Sequence, residues 1–288
     1  MATVKKGEPM DKHTTFRIGG KAGVFVVPAT EAELAFALAE YPGAAIIGGG
    51  SNLLVSDDGV DAVICTSGLK DIDIREADGG GMFVTVGAGY ALTALSRFAY
   101  RQRLGGLEFA FGIPGSVGGS VVMNAGAVGG EVKDVLNSAR VFFGGSFQEI
   151  PAAGMGLSYR SSRLPDGAVI VSATFALQPG NSEEILERMK RGIEARKQSQ
   201  PLGYPSAGSV FKNPPGDFAG RIIDSLGLKG LRVGDAQVSP RHANFIVNVG
   251  KATATQVLAL VEKVEQTVLH KAGIQLEREI RLLGSFRT

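Results

Sequence analysis

GIPGSVGGSVVMNAGA, from Gly112 to Ala127, is the stretch on which the reading of this chain turns. Pro114 and Gly115 shape a turn, Ser116 stands where an N-cap accepts from the first free amides of a helix, and Gly112, Gly115, Gly118 and Gly119 leave the backbone bare. Such a segment can lay several N–H groups along an anion. A second stretch, GGGSNLLV from Gly48 to Val55, repeats the design after an apolar run: Gly48, Gly49 and Gly50 let consecutive amides turn inward, and Ser51 and Asn52 add donors to the same concavity. Taken alone, either cluster is more often a tight turn or a close packing contact. Two in one half of the chain suit a pyrophosphate.

The familiar nucleotide templates do not account for these loops. A G-x-G-x-x-G fingerprint would need glycine where Leu53 stands, and GAGYAL, Gly87 to Leu92, fails in the same way at Leu92. The Gly20–Lys21 pair lacks a glycine five positions back and is followed by Ala22, so a P-loop is absent there too.

Composition narrows the function classes. The 288 residues include 41 glycines, well above average usage and without a collagen-like period, so backbone must approach something closely. Lys plus Arg number 30 against 28 Asp plus Glu, a net charge of +2, which leaves no single-signed field to recruit nucleic acid or an anionic membrane. A small anionic ligand fits better than a polyanion, and the absence of Trp speaks against a base-stacking surface. The single cysteine, Cys65, closes no intramolecular disulfide and ends an apolar run from Val60, where it reads as a buried small hydrophobe. Any redox chemistry therefore has to come from a cofactor. His13, His242 and His270 are too scattered for a zinc site, so no metal is expected. The N-terminal segment lacks a signal-peptide core and no run approaches the ~18 apolar residues of a membrane span. A cytoplasmic location is expected.

Along the chain, Val24–Val27, a helix, Ala44–Ile47 and Val60–Cys65 read as β-α-β-β, the helix starting in a capping box of Thr30 and Glu33 with Leu34, Phe36, Leu38 and Ala39 as its apolar side. A second block has strands near Lys70–Arg75 and Met82–Val86, a helix at about Ala91–Arg103, the glycine-rich stretch, and strands at Val135–Phe143 and Ala168–Leu177. QPGNS marks a boundary. Asn181 then caps a charged helix to about Lys197. Short strands are expected at Ser209–Lys212, Ala236–Val238 and Asn244–Val249, with a helix near Phe218–Leu226. A long helix runs from the box Thr253–Gln256 to Gly273, and Gln275–Leu283 forms a closing strand. The class is α+β, organised as 1–178, with lobes of about 1–66 and 67–178, followed by a smaller α+β domain at 179–288.

HTTFRIGG (His13–Gly20), IIGGGSNLLV (Ile46–Val55), GLEFAFGIPGSVGGSVVMNAGAVGGE (Gly106–Glu131), SYRSSRL (Ser158–Leu164), PSAGSVFKNP (Pro205–Pro214), HANFIVN (His242–Asn248) and LEREIRLLG (Leu276–Gly284) together resemble the UDP-N-acetylenolpyruvoylglucosamine reductase (MurB) family, in order and over nearly the whole chain. The resemblance implies a two-lobed FAD-binding domain of the vanillyl-alcohol-oxidase type at 1–178 and a substrate-binding domain at 179–288. It also implies noncovalent FAD, with NADPH as co-substrate and UDP-N-acetylglucosamine enolpyruvate as the compound reduced, yielding UDP-N-acetylmuramate for peptidoglycan synthesis. Neither nucleic acid nor membrane enters as a partner. Tyr159 and Arg160 run almost directly into the strand at Ala168, so the chain resembles the shorter, lid-less members. Two alternatives keep the fold: another noncovalent-FAD oxidoreductase, or a nonenzymatic nucleotide-sugar binding protein.

The resemblance assigns FAD to Gly48, Gly49, Gly50, Ser51, Asn52, Leu53, Gly112, Pro114, Gly115, Ser116, Gly118, Gly119 and Asn124. It makes Arg160 the cation facing charge that develops on the substrate carboxylate, where a guanidinium binds bidentately and stays charged. Ser209 is the proton donor, and Glu279 hydrogen-bonds near the intermediate and helps set its protonation. Period two alone puts Glu277, Glu279 and Arg281 on one face and does not choose between the glutamates; the family pattern picks Glu279. Arg160, Lys212, Asn213 and Gln237 contact substrate by the same carry-over. Lys197 stands near the place of a lysine that the family often has before the proline matched by Pro201.

Overall fold

Thr30 and Thr253 each accept the N–H three residues on, Glu33 and Gln256, both at 3.2 Å, so two helix starts written in the sequence are realised in the protein. The structure is a computed structural model and describes residues 2–286. In chain order the elements are β1 (Thr3–Pro9), β2 (Lys21–Val27), α1 (Glu31–Glu40), β3 (Ala45–Ile47), β4 (Leu53–Val55), β5 (Val60–Cys65), β6 (Ile72–Glu76), β7 (Met82–Gly87), α2 (Leu92–Arg101), β8 (Leu104–Gly105) and α3 (Val117–Val122). They continue with β9 (Gly126–Ala127), β10 (Gly130–Glu131), β11 (Leu136–Phe143), β12 (Ser146–Pro151), β13 (Val169–Pro179), α4 (Ser182–Ser199), α5 (Ala219–Ser225), β14 (Arg232–Val233), β15 (Ala236–Val238), β16 (Ile246–Asn248), α6 (Ala254–Ala272) and β17 (Arg281–Leu283). The α+β class expected from the sequence holds.

Two compact units are present, and they do not follow a single cut at 178/179. One comprises Phe25–Gly49, Ala62–Ala195 and the described residues up to Lys5; the other comprises Lys6–Val24, Gly50–Asp61 and the chain from Arg196 onward.

The first unit is built on the antiparallel sheet β12-β11-β13-β7-β6. Val84, Val86, Val141, Ala173 and Phe175 are buried together with Leu92 and Leu95 of α2 and Val117 and Val121 of α3, which makes one apolar core. β3 and β5 pair in parallel, Ala45 with Val63 through Ile47 with Cys65. Leu34 and Ala37 form the buried side of α1. Phe36, expected on that side, is 69 % exposed, and Ala39 is exposed as well. The reason is angular: Phe36 lies two residues from Leu34, about 200° round the helix. The reciprocal half of the Thr30 box also shifts, since the Glu33 carboxylate accepts from the Ala29 N–H at 2.8 Å.

In the second unit α6 packs its Val257, Val261, Val264 and Val268 with Phe16, Leu54, Val210, Phe211, Ile222 and Ile223. Gly50–Asp61, a piece of the N-terminal half, belongs here because it is bonded into this unit. β4 pairs in parallel with β17, Leu53 with Arg281 through Val55 with Leu283. The Asp57 carboxylate accepts the N–H groups of Ala254 and Thr255 at 2.7 and 2.9 Å, filling free donors at the start of α6. The remaining sheet is β14-β15-β16.

Three expected strands are shorter than the pattern suggested. Ser209–Lys212 is no continuous strand but two isolated bridges, Ser209 to Phe245 and Phe211 to Arg278. Gln275–Leu283 reduces to Arg281–Leu283, preceded by the single bridge at Arg278, and Asn244–Val249 reduces to Ile246–Asn248. A side chain takes the place of the missing ladder: Asn244 bonds both backbone groups of Phe211. β1 carries exposed lysines and no clear alternation, and was not legible as a strand.

Candidate active site

In the first unit the two glycine clusters touch. A Cβ on Gly48 would meet Ser116 Oγ at 2.1 Å, one on Gly49 would meet Gly115 Cα at 2.8 Å, and one on Gly118 would meet the Ala88 Cβ at 2.8 Å. Gly49 is therefore demanded by the backbone of Gly115 and Ser116, Gly48 by the Ser116 side chain and Gly118 by the Ala88 methyl. Ser116 caps α3, its Oγ accepting the Gly119 N–H at 3.4 Å. Gly119 differs: it is exposed, and a Cβ there would find only Ser116 Oγ, at an ordinary 3.6 Å. Among the described residues the N–H groups of Gly49, Gly115 and Ser116 donate to no protein acceptor. The contact thus joins two loops into one surface with unspent donors and no acidic side chain from either glycine run.

Nearby in the same unit, Ser158 and Ser161 exchange backbone hydrogen bonds at 3.0 and 3.1 Å, closing a tight turn. Arg160 sits in it at φ 53°, a left-handed conformation uncommon for a side-chain-bearing residue. Its guanidinium donates to the Gly126 carbonyl at 3.0 Å and lies 5.1 Å from the Tyr159 ring centroid.

In the second unit, Ser209–Asn213 is held from both sides. The Glu279 N–H donates to the Val210 carbonyl at 2.7 Å, and Lys212 N–H to the Glu277 carbonyl at 2.8 Å. On the opposite side Val210 N–H donates to the Asn244 carbonyl at 2.8 Å. Asn52, expected beside the cofactor, donates its side-chain amide to the Glu279 carbonyl at 2.9 Å and accepts Arg281 N–H at 2.9 Å. Ser209 and Glu279 are accordingly brought onto neighbouring segments. The two glutamates separate as alternation alone could not: Glu277 is exposed and pairs with the Lys212 ammonium at 2.6 Å, while Glu279 is half-buried.

Residues 200–283 match the family model "UDP-N-acetylenolpyruvoylglucosamine reductase, C-terminal domain", and residues 22–146 match the model "FAD binding domain". The chain is 44 % identical to UDP-N-acetylenolpyruvoylglucosamine reductase 2 of Symbiobacterium thermophilum, covering 98 % of this chain and 92 % of that protein. It is 45 % identical to the reductase of Agathobacter rectalis, covering 97 % and 93 %. It belongs to the UDP-N-acetylenolpyruvoylglucosamine reductase family. The crystal structure of the reductase from Thermus caldophilus superposes with a TM-score of 0.84 at 40 % identity, over 99 % of both chains.

Within this reductase fold the carried-over residues divide. Both glycine clusters lie inside the FAD-binding match, and Ser209, Lys212, Asn213, Gln237 and Glu279 lie inside the C-terminal one. The joined glycine surface fits a cofactor diphosphate, since it offers unspent N–H donors and, at exposed Gly119, room that no protein contact requires. Asn124, expected at the cofactor, has its side-chain amide engaged within the protein. It is fully buried, its Nδ2 donates to Glu131 Oε2 at 2.7 Å and to the Ser158 carbonyl at 3.0 Å, and its Oδ1 accepts Lys133 N–H at 2.9 Å. That amide ties the end of α3 to the turn carrying Arg160. Asn213 Oδ1 accepts the Ala219 N–H at 3.1 Å at the start of α5, and Gln237 Nε2 donates to the Gly230 carbonyl at 3.2 Å. Gly50 is bare because His13 demands it, a Cβ there meeting the His13 carbonyl at 1.8 Å.

Asn244 and His242, which brace the Ser209 segment through hydrogen bonds, were not singled out from the sequence. The signal was available in HANFIVN, where a polar residue interrupts an apolar run and so must have partners. Cys65 is buried, its Sγ 3.2 Å from Ser67 Oγ. Among the described residues no cluster of His, Cys, Asp or Glu is arranged to hold a metal ion, and no helix is long and apolar enough to cross a membrane.

Proposed function

We infer that this chain reduces UDP-N-acetylglucosamine enolpyruvate to UDP-N-acetylmuramate with NADPH and noncovalently bound FAD, a step of peptidoglycan synthesis. The observation that carries the reading is 44 % identity to a reductase of that name over 98 % of the chain. FAD, when bound, carries two electrons from NADPH to the enolpyruvyl double bond. Within Gly48–Leu53 and Gly112–Gly119, the unspent N–H groups of Gly49, Gly115 and Ser116 would hold its diphosphate.

The protein's own task is to manage the charge and the proton. Adding electrons to the enolpyruvyl group drives negative charge onto its carboxylate, and Arg160 meets that charge with a guanidinium that cannot be neutralised at working pH. Its left-handed backbone and its bond to Gly126 support a fixed direction for the side chain. Ser209 delivers a proton to the carbon bearing the carboxylate. A serine hydroxyl is a weak acid, so the step depends on a strongly basic acceptor held close. The bond from Glu279 N–H to the Val210 carbonyl, next to Ser209, supports a placement of Glu279 near the intermediate, whose protonation it helps to set. Lys212, Asn213 and Gln237 line the path of the UDP-sugar. The reaction belongs in the cytoplasm, where NADPH and nucleotide sugars are drawn.

The test is the visible spectrum of the purified holoenzyme under anaerobic conditions. Flavin bands should bleach on NADPH and return on UDP-N-acetylglucosamine enolpyruvate. Bands that bleach and do not return would assign the protein to a different oxidant, and acid precipitation that left yellow pellet would refute noncovalent FAD.

A further inference from the structure

Asn244 does for the Ser209 segment what a strand neighbour would do. Its Nδ2 donates to the Phe211 carbonyl at 2.8 Å and its Oδ1 accepts the Phe211 N–H at 3.0 Å. Its own carbonyl accepts the Val210 N–H at 2.8 Å. One residue thereby fixes two consecutive backbone units, with Ser209 immediately before them and Lys212 immediately after. Asn244 is 3 % exposed, so these bonds are made away from solvent competition.

The geometry on the other side gives the clamp its meaning. Val210 carbonyl takes Glu279 N–H, and Lys212 N–H takes Glu277 carbonyl, yet no continuous ladder forms there, only the bridge at Phe211 and Arg278. A segment with so few rungs could slide or tilt. Asn244 itself is anchored: its N–H donates to His242 Nδ1 at 3.2 Å, and Ser239 Oγ accepts the N–H groups of Arg241 and His242 at 3.1 and 3.3 Å. The loop is thus a braced post on which the segment hangs.

We propose that Asn244 is a positioning residue for proton delivery, holding the Ser209 hydroxyl at its working height against Glu279 through the backbone of Val210 and Phe211. The proposal rests on the assignment of Ser209 as proton donor. Only a primary amide one methylene from the backbone supplies donor and acceptor at this reach. Aspartate would set an oxygen against the Phe211 carbonyl, alanine would leave both groups of Phe211 unpaired, and glutamine would push the pair outward by a carbon. A displacement of about 1 Å at a reacting group can cost on the order of 10²-fold in rate.

A residue that merely stabilised the fold would weaken both half-reactions or cofactor retention together. The experiment therefore separates them, using the holoenzyme in anaerobic stopped flow with Asn244→Ala, Ser209→Ala and the double variant. Flavin reduction by NADPH should stay within about two-fold of wild type in Asn244→Ala, while reoxidation by UDP-N-acetylglucosamine enolpyruvate falls by about 10²-fold. In the Ser209→Ala background the further change Asn244→Ala should alter reoxidation by less than about three-fold, because its effect runs through the hydroxyl already removed. Equal loss in both half-reactions, or effects that multiply in the double variant, would overturn the proposal. Should Asn244→Ala fail to fold or to hold FAD, Asn244→Gln keeps both amide atoms and carries the same comparison. A Ser209→Ala enzyme that reoxidises at the wild-type rate would instead remove the acid assignment, whereas slow Ser209→Ala beside fast Asn244→Ala would remove only the role given to Asn244.

Discussion

The side-chain amide of Asn52 donates to the backbone carbonyl of Glu279 at 2.9 Å, so the loop expected to hold flavin also fixes the strand expected to act on the substrate. Asn52 carbonyl completes the link by accepting Arg281 N–H, extending the β4–β17 pairing by one rung. Replacing the donor by an acceptor, Asn52→Asp, sets two oxygens against one another. A cost of about 1–3 kcal/mol is expected for the unmade bond, with reoxidation by substrate slowed more than flavin reduction by NADPH. Stopped-flow traces of the two half-reactions check it, and loss confined to FAD affinity would count against the structural link.

Ser96 makes the opposite kind of prediction. It lies in α2 at 2 % exposure, and its hydroxyl oxygen has no hydrogen-bond partner among the described residues. A buried hydroxyl without a partner is destabilising, and alanine is the better helix former, so Ser96→Ala should raise stability by about 1 kcal/mol. Thermal or urea unfolding of holoenzyme measures it. A lower midpoint would mean that a water or a polar group satisfies that oxygen.

Much of this architecture was legible because it depends on short-range chemistry. Thr30, Ser116, Asn181 and Thr253 each cap a helix by accepting an N–H two or three residues ahead, and Gly273 closes α6 in a left-handed turn. Period and capping report such events directly. What escaped were arrangements between residues far apart in sequence: Asp57 filling the start of α6, the pairing of β4 with β17, and Asn244 replacing a strand. The glycine clusters show both sides. Their backbone exposure was readable, but the sequence could not tell that Gly48 and Gly49 are bare because Gly115 and Ser116 lie on them.

Arg160 offers a clean chemical substitution. Lysine at this position keeps the charge and meets the same left-handed backbone, so the turn closed by Ser158 and Ser161 should survive, but the planar fork is lost. Arg160→Lys should therefore lower the rate of reoxidation by substrate by about 10²–10³-fold, the range for removing a donor aimed at developing charge. Flavin reduction by NADPH and the melting temperature should change little. An enzyme that turned over normally would take Arg160 out of the reaction and leave it as the support of Gly126.

His242 connects stability to pH through the same loop that carries Asn244. Burial pushes its pKa below the ordinary value of 6.5, with the charge of Lys229 acting in the same direction, and its Nδ1 accepts the Asn244 N–H. Protonation would turn that acceptor into a donor facing an N–H. Because the folded pKa lies below the unfolded one, the unfolded chain takes up the proton first as pH falls. The stabilisation is therefore complete above about pH 6.5 and is lost as pH drops through the depressed folded value. His242→Asn keeps an acceptor oxygen near the same place and cannot titrate. The wild type should lose melting temperature faster than this variant between about pH 7 and pH 5, and its reoxidation half-reaction should slow in parallel as the post under Asn244 loosens. Melting curves that shift equally in both proteins would show that this imidazole stays neutral, or is equally protonated, in the folded and unfolded chain.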